Sequence, residues 1–208
     1  MLVKVNTDVD TTIRADRKIA GLPTVLVCNP GGEEIDRTLG FIEAKEFIKT
    51  VEDYRQGIGT LAAMQELERT PGRTLDAEFL FELGKKYFNH SEFKEADIRF
   101  ESAGVLDATN EAGVADDSYY QRILIARKLE KWDHGIGHAQ MLIEMWPKSE
   151  WADDAAIYIG FLHARAGNTR QAIIGYKNYL ERWPKGEDAD YAKKQIEALE
   201  AESETSGG

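Results

Sequence analysis

Leu80-Phe81-Glu82-Leu83-Gly84-Lys85-Lys86-Tyr87, followed by Ala96-Asp97-Ile98-Arg99-Phe100, decides how this chain folds. Leu80, Leu83 and Tyr87 stand at i, i+3 and i+7, one apolar stripe of a helix. Gly84 lies on that stripe and lets a second helix come close. Ala96 and Phe100 are i and i+4 on the helix that follows, a small residue beside a large one at the crossing. A helical hairpin of this kind cannot bury its apolar faces alone, so it stacks against further copies. The first expectation is a scaffold rather than a catalyst.

The pattern recurs downstream. Trp132, Gly135, Ala139, Leu142 and Pro147 take the second-helix positions of another unit, with Gly135 where Ala96 stood. Its first helix is predicted over about 116–129, where Ile123 and Leu124 replace the Leu-Gly pair. A third unit shows Ile159-Gly160, then Ala172, Tyr176, Tyr179 and Pro184. The segments Pro147-Lys148-Ser149-Glu150-Trp151-Ala152-Asp153-Asp154-Ala155 and Pro184-Lys185-Gly186-Glu187-Asp188-Ala189-Asp190-Tyr191-Ala192 are near duplicates 37 residues apart. These residue types and spacings resemble the tetratricopeptide repeat, a helical hairpin of about 34 residues. The Pro-Lys-x-Glu-x-Ala-Asp-x-Ala form is similar to repeats of bacterial Tol–Pal accessory and outer-membrane lipoprotein families. The resemblance covers about residues 75–200 and implies an α-helical solenoid over 77–202 that binds other proteins. Ala189 to Glu202 would cover its last open face, and 203–208 is expected as a disordered tail.

Residues 1–56 read differently. Met1 to Val5 is a short β-prone run, and Asp10 to Ala20 is a polar helix capped by Asp10 or Thr11. Pro23 to Cys28 is an apolar strand, Asn29-Pro30-Gly31-Gly32 is turn chemistry, and Glu33 to Phe41 alternates as a second strand. Ala44 to Tyr54 returns to helical period through Phe47, Ile48 and Val51. Val3-x-Val5-x-x-Asp8, Ile19-Ala20-Gly21-Leu22-Pro23-Thr24, Gly32-Glu33-Glu34-Ile35-x-Arg37 and Gly40-Phe41 resemble the C-terminal half of a thioredoxin fold. That resemblance implies a β-α-β-β-α segment, a cis bond at Pro23, and a Leu22-Pro23 edge that pairs with extended peptides. It also places the family's Cys-x-x-Cys upstream of everything present, so this chain holds no dithiol chemistry. Three accounts compete: a fragment of a longer thioredoxin-family oxidoreductase, a degenerate remnant, and an unrelated hairpin plus helix. The fragment is favoured, because the β-prone run would otherwise lack its partner strand. Residues 57–76, with Gly57, Gly59 and Thr70-Pro71-Gly72 around a short helical stretch, are read as a linker. The fold class expected is therefore α+β, mostly α.

The 208 residues carry 37 Asp and Glu against 26 Lys and Arg, a net charge of −11. That balance disfavours nucleic acid, whose phosphates would be repelled. No apolar run is long enough to cross a bilayer, so no membrane insertion is expected. A single cysteine, Cys28, excludes an intrachain disulfide, and its apolar strand reads as a small buried hydrophobe. The absence of disulfides fits the cytosol and equally a periplasmic protein whose signal sequence has been lost.

Chemistry-bearing residues are sparse. His134 and His138 are i and i+4 on a helix, a spacing able to hold zinc, but no third ligand accompanies them. Asp116-Asp117 and Asp153-Asp154 sit at helix starts, where they complement the helix dipole. No catalytic residue, metal or cofactor is assigned. In tetratricopeptide arrays the first helices line the binding groove, and the matching positions are Phe81, Lys85 and Phe88, then Tyr120, Leu124 and Arg127, then Ile157, Phe161 and Arg165. Apolar residues with an occasional base suit a peptide or an amphipathic helix. The expected partner is a protein or peptide, with self-association through the repeats as a further reading.

Overall fold

The computed structural model describes residues 3–7, 9–10 and 12–206. Met1, Leu2, Asp8, Thr11, Gly207 and Gly208 lie outside the described residues, and with them the Asp8 position and the Thr11 cap. The chain divides into two compact units, Met1–Ser102 and Ala103–Gly208.

The first unit runs α1 (Thr12–Asp16), β1 (Thr24–Cys28), β2 (Glu34–Leu39), α2 (Ala44–Arg55), α3 (Leu61–Glu68), a 3-10 turn (Arg73–Leu75) and α4 (Ala77–Asn89). Most of α5 (Phe93–Leu106) also belongs to it. β1 and β2 form an antiparallel hairpin. The turn between them is held by Asn29, whose Oδ1 accepts from Gly31 N (2.9 Å) and Glu33 N (3.0 Å). Val27 pairs with Asp36 but Cys28 with Glu34, so Ile35 is the extra residue of a β-bulge. The Leu22–Pro23 bond is cis.

Several expectations change here. Val3 to Asn6 form no strand, and Val3 and Val5 are exposed. Among the described residues β1 pairs with β2 alone, and an unpaired strand gains no ladder hydrogen bonds. The N-terminal elements are thus α-β-β-α rather than β-α-β-β-α. The helix expected over Asp10 to Ala20 shortens to α1, since Lys18 takes a left-handed φ of 49° that ends it. Cys28 is exposed rather than buried, because the bulge and the end of β1 carry it off the packed face. The segment read as a linker contains α3, whose Thr60 cap accepts from Ala63 N at 3.2 Å. Ser203 to Ser206, expected as tail, continue the last helix.

A buried charged cluster ties the hairpin to α4. Asp36 has 0% exposure. Its Oδ2 accepts from Lys86 Nζ (2.8 Å) and Leu61 N (2.8 Å), and its Oδ1 from Arg37 N (2.7 Å). His90 Nε2 lies 2.7 Å from the same Oδ1. Lys86 Nζ also donates to Tyr54 Oη (2.5 Å) and sits 3.9 Å from the Tyr54 ring centroid. Arg37 grips Glu34 with Nε and Nη2 (2.6 and 2.7 Å), while its Nη1 donates to the Arg17 and Lys18 carbonyls. Burial pushes the Asp36 pKa up, but hydrogen bonds from His90 and Lys86 outweigh it and hold the carboxyl below its usual 3.8. Burial pulls Lys86 down against the opposing pull of Asp36.

The second unit begins at the end of α5 and continues with α6 (Ala115–Lys128), α7 (Trp132–Met145), α8 (Ala152–Arg165), α9 (Thr169–Arg182) and α10 (Ala189–Ser206). The helix expected over about 116–129 is α6, and α10 starts at Ala189 as expected but runs on past Glu202. Missing side chains set the crossings. A Cβ on Gly175 would lie 2.8 Å from Gly160 Cα, and one on Gly160 would lie 2.6 Å from the Tyr176 ring. A Cβ on Gly135 would lie 2.8 Å from Leu162 of the next pair, so the same device operates between repeats. In the first unit Gly84 faces Phe100 in the same way, at 2.8 Å. Tyr176, Tyr179, Ile123, Leu142 and Leu162 are fully buried around these crossings, each contributing roughly 1.5–3 kcal/mol.

Two tests follow from this packing. Gly160→Ala or Gly175→Ala destabilises the second unit by about 1–3 kcal/mol in urea denaturation, whereas Gly137→Ala, which meets nothing within 4 Å, gains about 0.5–1 kcal/mol. Asp36→Ala leaves Lys86 buried without its counter-charge and costs about 3–5 kcal/mol. A depressed carboxylate stabilises above its unfolded pKa and loses that contribution as pH falls through the folded value. The stability gap between wild type and Asp36→Ala therefore persists at neutral pH and shrinks as pH falls below 3.8.

Candidate functional site

The expected binding positions separate into three groups. In the first unit Phe81 and Phe88 are buried within their own helix pair. Phe81 packs 5.5 Å from the Phe100 ring and Phe88 meets the Phe93 ring edge-on at 5.3 Å. Both are corrected from groove to core: the second helix covers them. Lys85 is exposed, bonded to Glu82 at 2.8 Å and 5.4 Å from the Phe81 centroid. Leu22 and Pro23 are exposed beside the start of β1.

In the second unit Tyr120, Leu124 and Arg127 of α6 are half-buried, as is Phe161 of α8, and Arg165 is exposed. Ile157 is 6% exposed and belongs to the core around Tyr176, so it too is corrected. The residue that takes its place is Tyr158. Asp154, Tyr158, Phe161 and Arg165, spaced i, i+4, i+7 and i+11, form one stripe of α8, which keeps Phe161 and Arg165 from the sequence reading and has Tyr158 in place of Ile157.

These residues form an aromatic face. The Tyr120 ring stacks on Trp151 with centroids 4.2 Å apart and planes 10° from parallel. Tyr158 stands 6.3 Å from Tyr120 and 6.0 Å from Phe161, and the Arg127 guanidinium lies 5.6 Å from the Tyr158 centroid. Trp151 Nε1 donates to Asp117 Oδ1, which fixes the indole against α6. Trp151 is thus part of the face. Arg165 lies over the Trp132 ring at 5.9 Å. Burial raises the phenol pKa values of Tyr120 and Tyr158, with Asp154 adding to both shifts, so both rings are neutral at neutral pH.

One end of the face is acidic. Burial raises the Asp154 pKa, and Asp153, Asp188 and Glu187 raise it further through like-charge repulsion. Among the described residues no hydrogen bond or ion pair engages the Asp154 carboxylate.

No protein-family model and no curated protein sequence matches the chain. Solved structures do. One described as the crystal structure of MamA superposes with a TM-score of 0.51 at 17% identity, over 81% of this chain and 99% of that one. A MamA RS-1 ArsTM double mutant gives 0.50 at 13% identity, over 80% and 99%. At such identities the likeness shows the fold: a tetratricopeptide-like helical repeat. It lends nothing to the thioredoxin-like reading of the N-terminal segment.

Other candidates hold less. A depression of about 360 Å³ lies at the α6–α7 and α8–α9 turns, lined by Trp132, Asp133, His134 and Asn168 among others. His134 is exposed, and His138 stands 6.0 Å from Tyr119, ring edge to ring. Among the described residues no group of three or more His, Cys, Asp or Glu side chains is placed to hold a metal.

A carboxylate whose folded pKa is raised is stabilising only when protonated, and its ionised form costs stability at neutral pH. Asp154→Asn therefore raises the melting temperature at pH 7, and the difference vanishes below the carboxylate range. A lower melting temperature at pH 7 would show that a structural partner of Asp154 had been lost.

Proposed function

We propose that this chain is a protein-interaction module whose second unit docks a peptide or helix of a partner on the face formed by Tyr120, Leu124, Arg127, Tyr158, Phe161 and Arg165. The observation that carries the proposal is the cluster of half-buried rings on α6 and α8, which a folded helix pair has no internal need to leave in solvent. Rings with a polar edge and few rotatable bonds lose little entropy on binding and are favoured as interface anchors. The helical-repeat likeness supports protein partners, because stacked hairpins present extended surfaces suited to polypeptide segments. The thioredoxin-like reading of the N-terminal segment rests on its sequence resemblance alone. On that reading the exposed Leu22-Pro23 edge is a peptide-pairing surface of the first unit. The oxidoreductase-fragment alternative draws no support from either unit.

The test is affinity capture from the source lysate with wild type and with a Tyr158→Ala/Arg165→Ala variant whose helicity is checked by circular dichroism. Loss of an interface anchor costs about 2 kcal/mol or more, roughly a thirtyfold weakening. The folded variant is expected to lose the captured partner. Equal recovery by both would place the site elsewhere.

A further inference from the structure

The acidic end of the aromatic face, taken with the docking reading above on which it rests, says something about the partner. Asp154 is half-buried at the start of α8, and the like charges of Asp153 beside it and of Asp188 and Glu187 on the segment leading into α10 act on it. The Asp117 carboxylate is already engaged by Trp151. Tyr158 follows Asp154 by one helical turn, Tyr120 stands 6.3 Å from it, and both rings feel the Asp154 carboxylate on one side and the Arg127 guanidinium on another. One face of Tyr120 is covered by Trp151, and Tyr158 already accepts the Arg127 guanidinium at 5.6 Å, so these rings are placed to take cations. Carboxylate and tyrosine ring together form the surroundings that an ammonium or guanidinium group prefers, with its methylene stem laid along the aromatic carbons.

We propose that this end of the face seats a lysine or arginine side chain of the partner segment, against the Asp154 carboxylate and the rings of Tyr120 and Tyr158. The partner is thus a protein segment that is basic where it meets the start of α8. Stacking and Coulomb attraction add at one point, and the charge steers encounter as well as holding the complex.

The experiment uses the full chain and two fluorescein-labelled amphipathic peptides, each roughly four helical turns long. They share one Leu/Ala pattern, with Lys at every polar position in the first and Glu in the second. Anisotropy is read at about 0.15 M salt, where exposed charges more than about 8 Å apart are screened. The Lys peptide is expected to bind more tightly than the Glu peptide. Asp154→Asn is expected to weaken it about tenfold, or about 1.4 kcal/mol. Glu144→Gln, an equal charge change at an exposed position on α7, is expected to leave it unaltered. Equal weakening by the two variants would overturn the proposal, as would equal binding of the Glu peptide or no binding of the Lys peptide. Tyr158→Ala separates the two readings. If both peptides bind and both are lost in that variant, the face docks segments but the basic partner is wrong. If Tyr158→Ala changes neither, the docking reading fails as well.

Discussion

At Gly160 and Gly175 the backbones of α8 and α9 come so close that neither position has room for a single Cβ. Most of the second unit depends on that approach. It lets Tyr176 lie across Gly160 with its ring wholly buried, and it keeps α8 at the depth where Leu162 can reach over Gly135 into the preceding pair. Helices packed through missing side chains have little freedom to rotate about their own axes. The outward stripe of α8 is therefore set by its inward one. Once Ile157 and Gly160 are committed to the core, Asp154, Tyr158, Phe161 and Arg165 form the next stripe, in which Tyr158 and Phe161 stay half-buried against the edge of the core.

That coupling makes an aromatic face out of packing constraints. Tyr120 and Trp151 meet in near-parallel stacking because α6 and the start of α8 are adjacent in the stack, and the Asp117 hydrogen bond holds the indole at that angle. The acidic residues at the helix starts have a local justification in the helix dipole. Their convergence at Asp154 goes beyond that need and leaves repulsion unrelieved in the free protein. Stability spent in this way is a common mark of a binding surface. The first unit is built on the opposite economy. Asp36, Lys86, His90 and Tyr54 satisfy one another in a closed cluster that joins the hairpin to α4.

The repeats were legible because their cause is local. Leu80, Leu83, Gly84, Tyr87, Ala96 and Phe100 declare a helical hairpin through spacing alone, and the duplicated Pro-Lys segments mark where each pair restarts. Of the positions expected to line a groove, those on α6 are half-buried and three of the others are covered. Phe81, Phe88 and Ile157 are large and apolar, as an interface residue would be, and only the neighbouring helix shows that they are covered. Tyr158 shares a stripe with Asp154, Phe161 and Arg165, but the match to tetratricopeptide groove positions fell on its neighbour Ile157. The Asp36 cluster was out of reach for a different reason. Its members come from positions 36, 54, 86 and 90, and no periodicity links residues that only tertiary packing brings together. The β-prone run at the N-terminus had the right composition for a strand, but β propensity has no effect without a partner to pair with.

The central claim is that the α6–α8 face is where this protein meets its partner. It is tested most directly by site-specific photo-crosslinking in the source cells, with p-benzoylphenylalanine placed at Phe161 on that face or at Ile174, which is exposed on α9. The account predicts a discrete crosslinked protein from position 161 and none from position 174. The same adduct from both positions, or an adduct from 174 alone, would contradict it.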